Sequence, residues 1–292
     1  MDSLKRDAKR IIAKSGYDIV NKRGLDSLRA ELASSRKKVE QLQSDLNALQ
    51  NDIPRFGHLW NELNTEQRIA IARYIPFSKS QLAQDLFVIS QLCSRPTSNF
   101  FVEFGATDGI AFSNTFLLED KLGWNGILAE PASFWHDKLA SNRKCIIDYR
   151  CVSGESGKDV EFMEVLADET TLASPELSSL AEYAFSGDWA SQTRLSNSIK
   201  YTVRTVSLND LLLEHNAPQS IDYLSVDTEG SELEILENFD FKQYRVQIIT
   251  VEHNYREPFR QRIFDLLTAN GYARKHERVS MFDDWYVLSA LS

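Results

Sequence analysis

The chain has 292 residues, 42% hydrophobic, 26% charged and 11% aromatic, enough apolar material to bury a core and too much for a disordered chain. Twelve glycines and seven prolines exclude collagen-like and low-complexity architectures. A formal net charge of −9 offers no basic surface for phosphate contacts, so no nucleic-acid partner is expected.

No apolar run approaches the ~20 residues that a bilayer-spanning helix needs. The opening MDSLKRDAKR lacks the apolar stretch of a secretion signal. Cys93, Cys145 and Cys151 have no C-x-x-C spacing and leave one thiol over in any pairing scheme. Together these features predict a soluble cytoplasmic protein.

Residues 1–23 carry seven Lys and Arg against three Asp, and Leu4, Ala8, Ile11, Ile12 and Ile19 recur near helical spacing. A basic amphipathic helix is expected there, read either as a foothold on an anionic membrane surface or as a solvated cap on the domain or a partner. Gly16 and the scarcity of large apolar residues favour the cap. Residues 24–53 hold the best periodic pattern in the chain. Leu25, Leu28, Leu32, Ser35, Val39, Leu42, Leu46, Leu49 and Ile53 alternate three and four apart, so every seam position but one is apolar. Four such heptads predict a coiled coil of about 44 Å, and self-association through Leu25–Ile53 as a dimer or trimer. It stays open whether this rod spaces the rest of the chain from a membrane-bound partner such as a glycan-assembly complex. Residues 54–98 read as a helical cover, with one helix starting at Asn64-Thr65-Glu66, a second running from Ser80, and Pro76 between them.

From residue 99 to 292 strands alternate with helices. Strands are predicted at Phe100–Phe104, Gly126–Ala129, Cys145–Val152, Val160–Val165, Tyr223–Val226 and Val246–Val251, and helices at Asn114–Leu122, Phe134–Leu139, Leu208–Leu213, Leu233–Leu236 and Phe259–Leu267. A closing hairpin is expected over Arg278–Leu288, with Asp283-Asp284 near its turn. This alternation implies an α/β fold with a doubly wound, mostly parallel sheet, whose ligands bind beyond the carboxyl ends of the strands.

Acids crowd those ends: Glu103 near the end of the first strand and Asp108 beyond it, Glu130 after the second, Asp227 and Glu229 after Tyr223–Val226, Glu252 with His253 after Val246–Val251. The first turn reads E-F-G-A-T-D-G, lacking the G-x-G-x-x-G of a diphosphate loop and flanked by carboxylates that repel a diphosphate. Carboxylates suit a cation or sugar hydroxyls. Glu130, two dozen residues beyond Gly105, is placed to accept both hydroxyls of a ribose. A ribose, an amino acid and a sulfonium charge together describe S-adenosylmethionine. Glu103, Gly105, Thr107, Asp108 and Gly109 form the expected methionine-binding turn, Ser113 and Asn114 cap the next helix or touch the cofactor, and Cys151 and Val152 line the adenine.

At these residues the sequence resembles the FkbM family of S-adenosylmethionine-dependent methyltransferases. The likeness covers Asn99 to Leu288 and rests on FFVEFGATDGIAFSNTFLLEDKLGWNGILAEP, on Arg143 with CVSGESG, and on IDYLSVDTEGSELEILENFDF with its D-x-E-G motif. It implies a Rossmann-like methyltransferase fold and O-methyl transfer, often to a sugar hydroxyl of a polysaccharide or secondary metabolite. The coiled coil lies outside the family pattern, as does the segment Ala167–Tyr201, whose Tyr183, Phe185, Trp189 and Tyr201 suit a sugar face and whose Arg194 and Lys200 suit an anionic acceptor.

A hydroxyl must lose its proton to become a nucleophile. In one reading Asp227 or His253 takes that proton while Glu229 and Glu252 hold the acceptor. In the other, Asp227, Glu252 and His253 bind a divalent cation such as Mg2+. Two competing functions remain: an inactive Rossmann-domain scaffold oligomerised by its coiled coil, and an NAD-dependent oxidoreductase, disfavoured by the acidic turn.

Overall fold

The computed structural model describes residues 29, 32–38, 56–166, 175–184 and 191–289. The basic segment 1–23 and most of the predicted coiled coil, 24–53, lie outside the described residues, as do Phe185 and Trp189. Residues 32–38 of the coiled-coil stretch are helical and exposed. The chain divides into two compact units, Met1–Ile53 and Pro54–Ser292. Among the described residues no helix is long and apolar enough to cross a membrane.

The second unit begins with three helices: α1 (56–62), α2 (Thr65–Ala72) and α3 (Gln84–Leu92). Asn64 starts α2 through a capping box, its side chain accepting from the Gln67 amide while Gln67 accepts from the Asn64 amide, both at 3.0 Å. The α/β part follows as β1 (Phe100–Phe104), α4 (Phe116–Leu122), β2 (Asn125–Ala129), α5 (His136–Asn142), β3 (Ile146–Asp148) and β4 (Cys151–Ser153). Next come β5 (Asp159–Val165), β6 (Ser179–Leu180), α6 (Ser191–Ser196), β7 (Ser198–Ser207) and α7 (Leu208–Glu214). The chain then runs through β8 (Ser220–Val226), α8 (Glu232–Glu237), β9 (Arg245–Glu252), α9 (Glu257–Ala269), β10 (Tyr272–Lys275), α10 (Glu277–Ser280) and β11 (Asp283–Leu288).

Seven strands form the central sheet in the order β10-β11-β9-β8-β1-β2-β3. From β3 to β9 neighbours are parallel, and β11 inserts antiparallel between β9 and β10. Side-chain alternation sends Val102 and Phe104 of β1 to one core with Leu208, Leu233, Ile263 and Leu267, and Phe101 to the other with Leu59, Phe87, Leu117 and Leu139. Both faces are therefore covered by helices, as a doubly wound sheet requires, with α1 to α3 on the second face. Each such fully buried aliphatic or aromatic side chain contributes roughly 1.5–3 kcal/mol.

Three expectations change. The predicted Cys145–Val152 strand is two, because Asp148 ends β3 and the chain turns through Tyr149 and Arg150 into β4, which joins a separate four-stranded sheet, β4-β7-β5-β6. That second sheet contains the ten-residue β7, which falls largely in a stretch without predicted elements. The closing hairpin pairs Tyr272–Lys275 with Asp283–Leu288, so Asp283 and Asp284 open the last strand and do not sit at a turn.

Candidate active site

The turn after β1 is built by contacts that only some of its residues can make. Gly105 has φ +69°, and a Cβ there would lie 2.3 Å from the Asp227 carbonyl oxygen, so β1 and β8 meet at a point that admits no side chain. Asp108 accepts from the amides of Ile110 and Ala111, both at 2.8 Å, and so closes its own loop. A Cβ on Gly109 would lie 2.6 Å from Arg143 Cγ, and its carbonyl accepts from Arg143 Nη1 at 3.1 Å. Ser113 Oγ accepts from the first amides of α4, those of Thr115 and Phe116, and donates to Glu103 at 3.0 Å. Glu103 takes the Asn114 amide at 2.6 Å and the Thr115 hydroxyl as well, with Arg143 at 3.7 Å. Burial raises its pKa against the pull of Arg143.

Asn114 reaches the other way. Its Nδ2 donates to Ser225 Oγ at 2.9 Å, while its buried Oδ1 has no hydrogen-bond partner. Glu130, at the end of β2, accepts the amides of Thr107 and Ala132, both at 2.8 Å, yet burial still pushes its pKa up to about 7. At the ends of β8 and β9, Asp227, Glu229 and Glu252 bring one carboxylate oxygen each within 4.8 Å of the others. Burial and this mutual repulsion hold Asp227 and Glu252 well above the usual carboxylate range, and the two share a hydrogen bond. Glu229, at φ +59°, receives Arg194 Nη2 at 2.6 Å. The turn itself is folded by Glu232, whose Oε1 accepts the amides of Thr228 and Gly230 and the Thr228 hydroxyl.

These groups surround one cavity of about 450 Å³ at the carboxyl edge of the sheet, a size suited to a nucleoside-sized ligand with room beside it. Seven carboxylates line it, and among the described lining residues there is no Lys, Arg or His. Next to Glu130 its wall is apolar, formed by Cys151, Val152, Phe162 and Leu180. Residues 175–178 of the inserted segment also line it. At its far end stand Glu252, Phe282 and Asp283, the last with its pKa pushed up to about 7 by burial.

A model of the methyltransferase FkbM domain matches residues 103–285, well over half of the chain. The chain belongs to the FkbM methyltransferase family. It is 27% identical over 214 residues to methyltransferase sdnD of Sordaria araneosa, covering 67% of this chain and 82% of that protein. No solved structure matches it.

In this FkbM methyltransferase domain the cavity gathers Glu103, Gly105, Thr107, Asn114, Glu130, Cys151, Val152, Asp227, Glu229 and Glu252, ten of the residues singled out from sequence. Four others are placed elsewhere. Asp108, Gly109 and Ser113 are committed to the loop, to Arg143 and to the start of α4, as above. His253 follows Glu252 on a strand end where alternate side chains point opposite ways, so its ring is buried away from the cavity. Its Nδ1 accepts the Tyr255 amide at 2.9 Å, its Nε2 lies 3.7 Å from Asp284, and burial lowers its pKa. It therefore cannot complete a metal site with Asp227 and Glu252. Glu229 is the third carboxylate of that cluster. Glu103 touches the cavity but has both oxygens engaged by the start of α4. Arg194 is fully buried against Glu229 and the Leu177 carbonyl, and Lys200 pairs with Glu161 on the surface, so neither presents a charge to the cavity. The Cys151 thiol is pushed up to about 12 by burial and is inert at neutral pH.

Sequence reasoning missed Gln84, Asp283 and Glu232. Asp283 carried a signal in principle: an acid opening an antiparallel strand shares an edge with acids that close parallel ones. Gln84 lies 199 residues from its partner and gives no local sign.

Proposed function

We propose that the chain is an S-adenosylmethionine-dependent O-methyltransferase acting on a sugar hydroxyl of a polysaccharide, glycan or glycosylated metabolite. The observation that carries this reading is the cavity lining, with carboxylates at four strand ends and no basic residue among the described ones. Such a lining favours a cation and hydroxyl donors over a diphosphate, which also argues against the NAD alternative.

The residues fit the cofactor group by group. Glu130 would accept the ribose hydroxyls, and Cys151, Val152, Phe162 and Leu180 would flank the adenine. The orphaned Asn114 Oδ1 is an acceptor in search of a donor, and the cofactor's ammonium group supplies one. When bound, the cofactor supplies an electrophilic methyl group on a sulfonium centre. The acceptor hydroxyl loses its proton to the ionised member of the Asp227–Glu252 pair, which burial and the neighbouring carboxylates make a stronger base than an ordinary carboxylate. Asp227→Asn should lower kcat by about 10²–10⁴.

A divalent cation such as Mg2+ would sit among Asp227, Glu229 and Glu252. We favour the proton over the metal, because Glu229 is already neutralised by Arg194 and Asp227 shares a hydrogen bond with Glu252. Chelator treatment should then leave turnover unchanged. Calorimetry with S-adenosylmethionine, S-adenosylhomocysteine and NAD tests the assignment. Binding of the first two and not the third is expected, and preference for NAD would reject it. Failure to release S-adenosylhomocysteine with any acceptor would favour the inactive scaffold.

A further inference from the structure

The end of the cavity remote from Glu130 has a construction of its own. Because β11 runs antiparallel, its first residue, Asp283, lies at the same edge as the carboxyl ends of β8 and β9 and opposite Glu252 in the ladder. Gln84 Nε2 donates to Asp283 Oδ2 at 2.8 Å, and the Leu82 amide fixes Gln84 Oε1 at 2.8 Å. A buried carboxylate is thus held in a set orientation by helix α3, which precedes the family match at 103–285.

Beside it the lining is apolar, and at Phe112 it is strained. Phe112 lines the cavity while 51% exposed, its backbone bridged to Ser80 just before α3, and Phe282 lines the cavity beside Asp283. Tyr255 and Met281, each adjoining a lining residue, are 60% and 53% exposed. Phe112, Tyr255 and Met281 have φ of 58°, 57° and 52°, a left-handed conformation that large side chains seldom adopt without compensation. Strain and exposed apolar surface are both unfavourable, and at Phe112 they coincide on the cavity lining.

We propose that this end is a subsite for an uncharged, hydroxyl-bearing amphiphile: Asp283 and Glu252 pair with its hydroxyls, Phe112 and Phe282 cover its apolar body, and a lining with no basic residue among the described ones offers a phosphate no partner. The proposal rests on the function proposed above only in assigning the Glu130 end to the cofactor.

The test uses two probes with the same tail, n-octyl β-D-glucopyranoside and n-octyl phosphate. Each is titrated calorimetrically, below its micelle concentration, into the full chain with and without S-adenosylhomocysteine. The glucoside should bind saturably and the phosphate at least about tenfold more weakly. Phe112→Ser, at an exposed position, and Asp283→Asn should each weaken glucoside binding by about fivefold or more, with the melting temperature as the folding control. Phosphate binding equal to or tighter than glucoside binding would overturn the proposal, as would glucoside binding that is absent or unmoved by both substitutions. Failure of S-adenosylhomocysteine to bind would strike the cofactor assignment instead, and leaves the comparison of the two probes readable.

Discussion

Gly105 and Gly123 separate two costs that a glycine can hide. Both have φ close to +70°, but a Cβ on Gly105 would strike the Asp227 carbonyl while one on Gly123 would meet nothing within 4 Å. Gly123→Ala should therefore cost about 1 kcal/mol from backbone strain alone. Gly105→Ala should cost about 2–4 kcal/mol and weaken cofactor binding, since β1 and β8 would have to part. Urea denaturation of the two variants gives the comparison, and equal losses would place the close approach elsewhere. Glu130 makes a second residue-scale prediction, with a sign. Its pKa is raised to about 7, so below that pH it is protonated and loses capacity to accept ribose hydroxyls. S-adenosylhomocysteine affinity should then rise as pH climbs through about 7 and level off above it. Glu130→Gln should bind weakly and flatten that step; an unchanged pH profile in the variant would assign the titration to another group.

The inserted elements β5 to β7 look like an appendage on the strand order, yet they are pinned to the D-x-E-G turn and to α8 after it. Arg194 reaches Glu229 at 2.6 Å, Tyr183 OH donates to Glu234 at 2.7 Å, and Gly230 lacks a Cβ where the Tyr183 Cβ would stand 2.4 Å away. Arg194→Ala leaves Glu229 beside Asp227 and Glu252 without its 2.6 Å guanidinium contact, a loss of about 3–5 kcal/mol for a broken buried pair. Hydrogen exchange over residues 175–207 should accelerate in that variant, and Arg194→Ala with Glu229→Gln should recover part of the loss; undisturbed exchange would mean the pair holds nothing in place. At this scale the sequence was legible where hydrophobic period and chain order coincide. The parallel strands, the helices between them and the acids of Glu130, Asp227 and Glu252 follow from strand ends alone. It was opaque where long-range pairing decides. Nothing local says that Asp148 ends one strand and Cys151 opens another in a different sheet, that Ser198–Ser207 is a strand, or that Gln84 orients Asp283. Residue type misled in the opposite direction. Asp108 and His253 carry chemically suggestive side chains, and backbone amides or neighbouring side chains had already claimed them, whereas Ser113 caps the helix as its residue type suggests.

On the scale of the whole molecule, the second unit contains the family domain and the three helices that back one face of its sheet, while the heptads lie in the first unit, Met1–Ile53. The spacing of Leu25 through Ile53 predicts self-association, so Leu42→Lys with Leu46→Lys should lower the mass seen by light scattering and leave S-adenosylhomocysteine affinity untouched. An unchanged mass would mean that the heptads do not hold copies of the chain together. Charge is distributed with the same division of labour: the first 23 residues hold an excess of basic groups, while the cavity of the second unit is lined by acids with no cation among its described residues. The function proposed for the second unit requires this acidic cavity to receive a sulfonium nucleoside. A crystal structure of the full chain grown with S-adenosylhomocysteine tests it most directly. Ribose hydroxyls are expected on Glu130, adenine against Cys151, Val152 and Phe162, and the ligand's ammonium group on Asn114 Oδ1. A nucleoside bound anywhere else, or turned so that its ribose leaves Glu130 unoccupied, would contradict it.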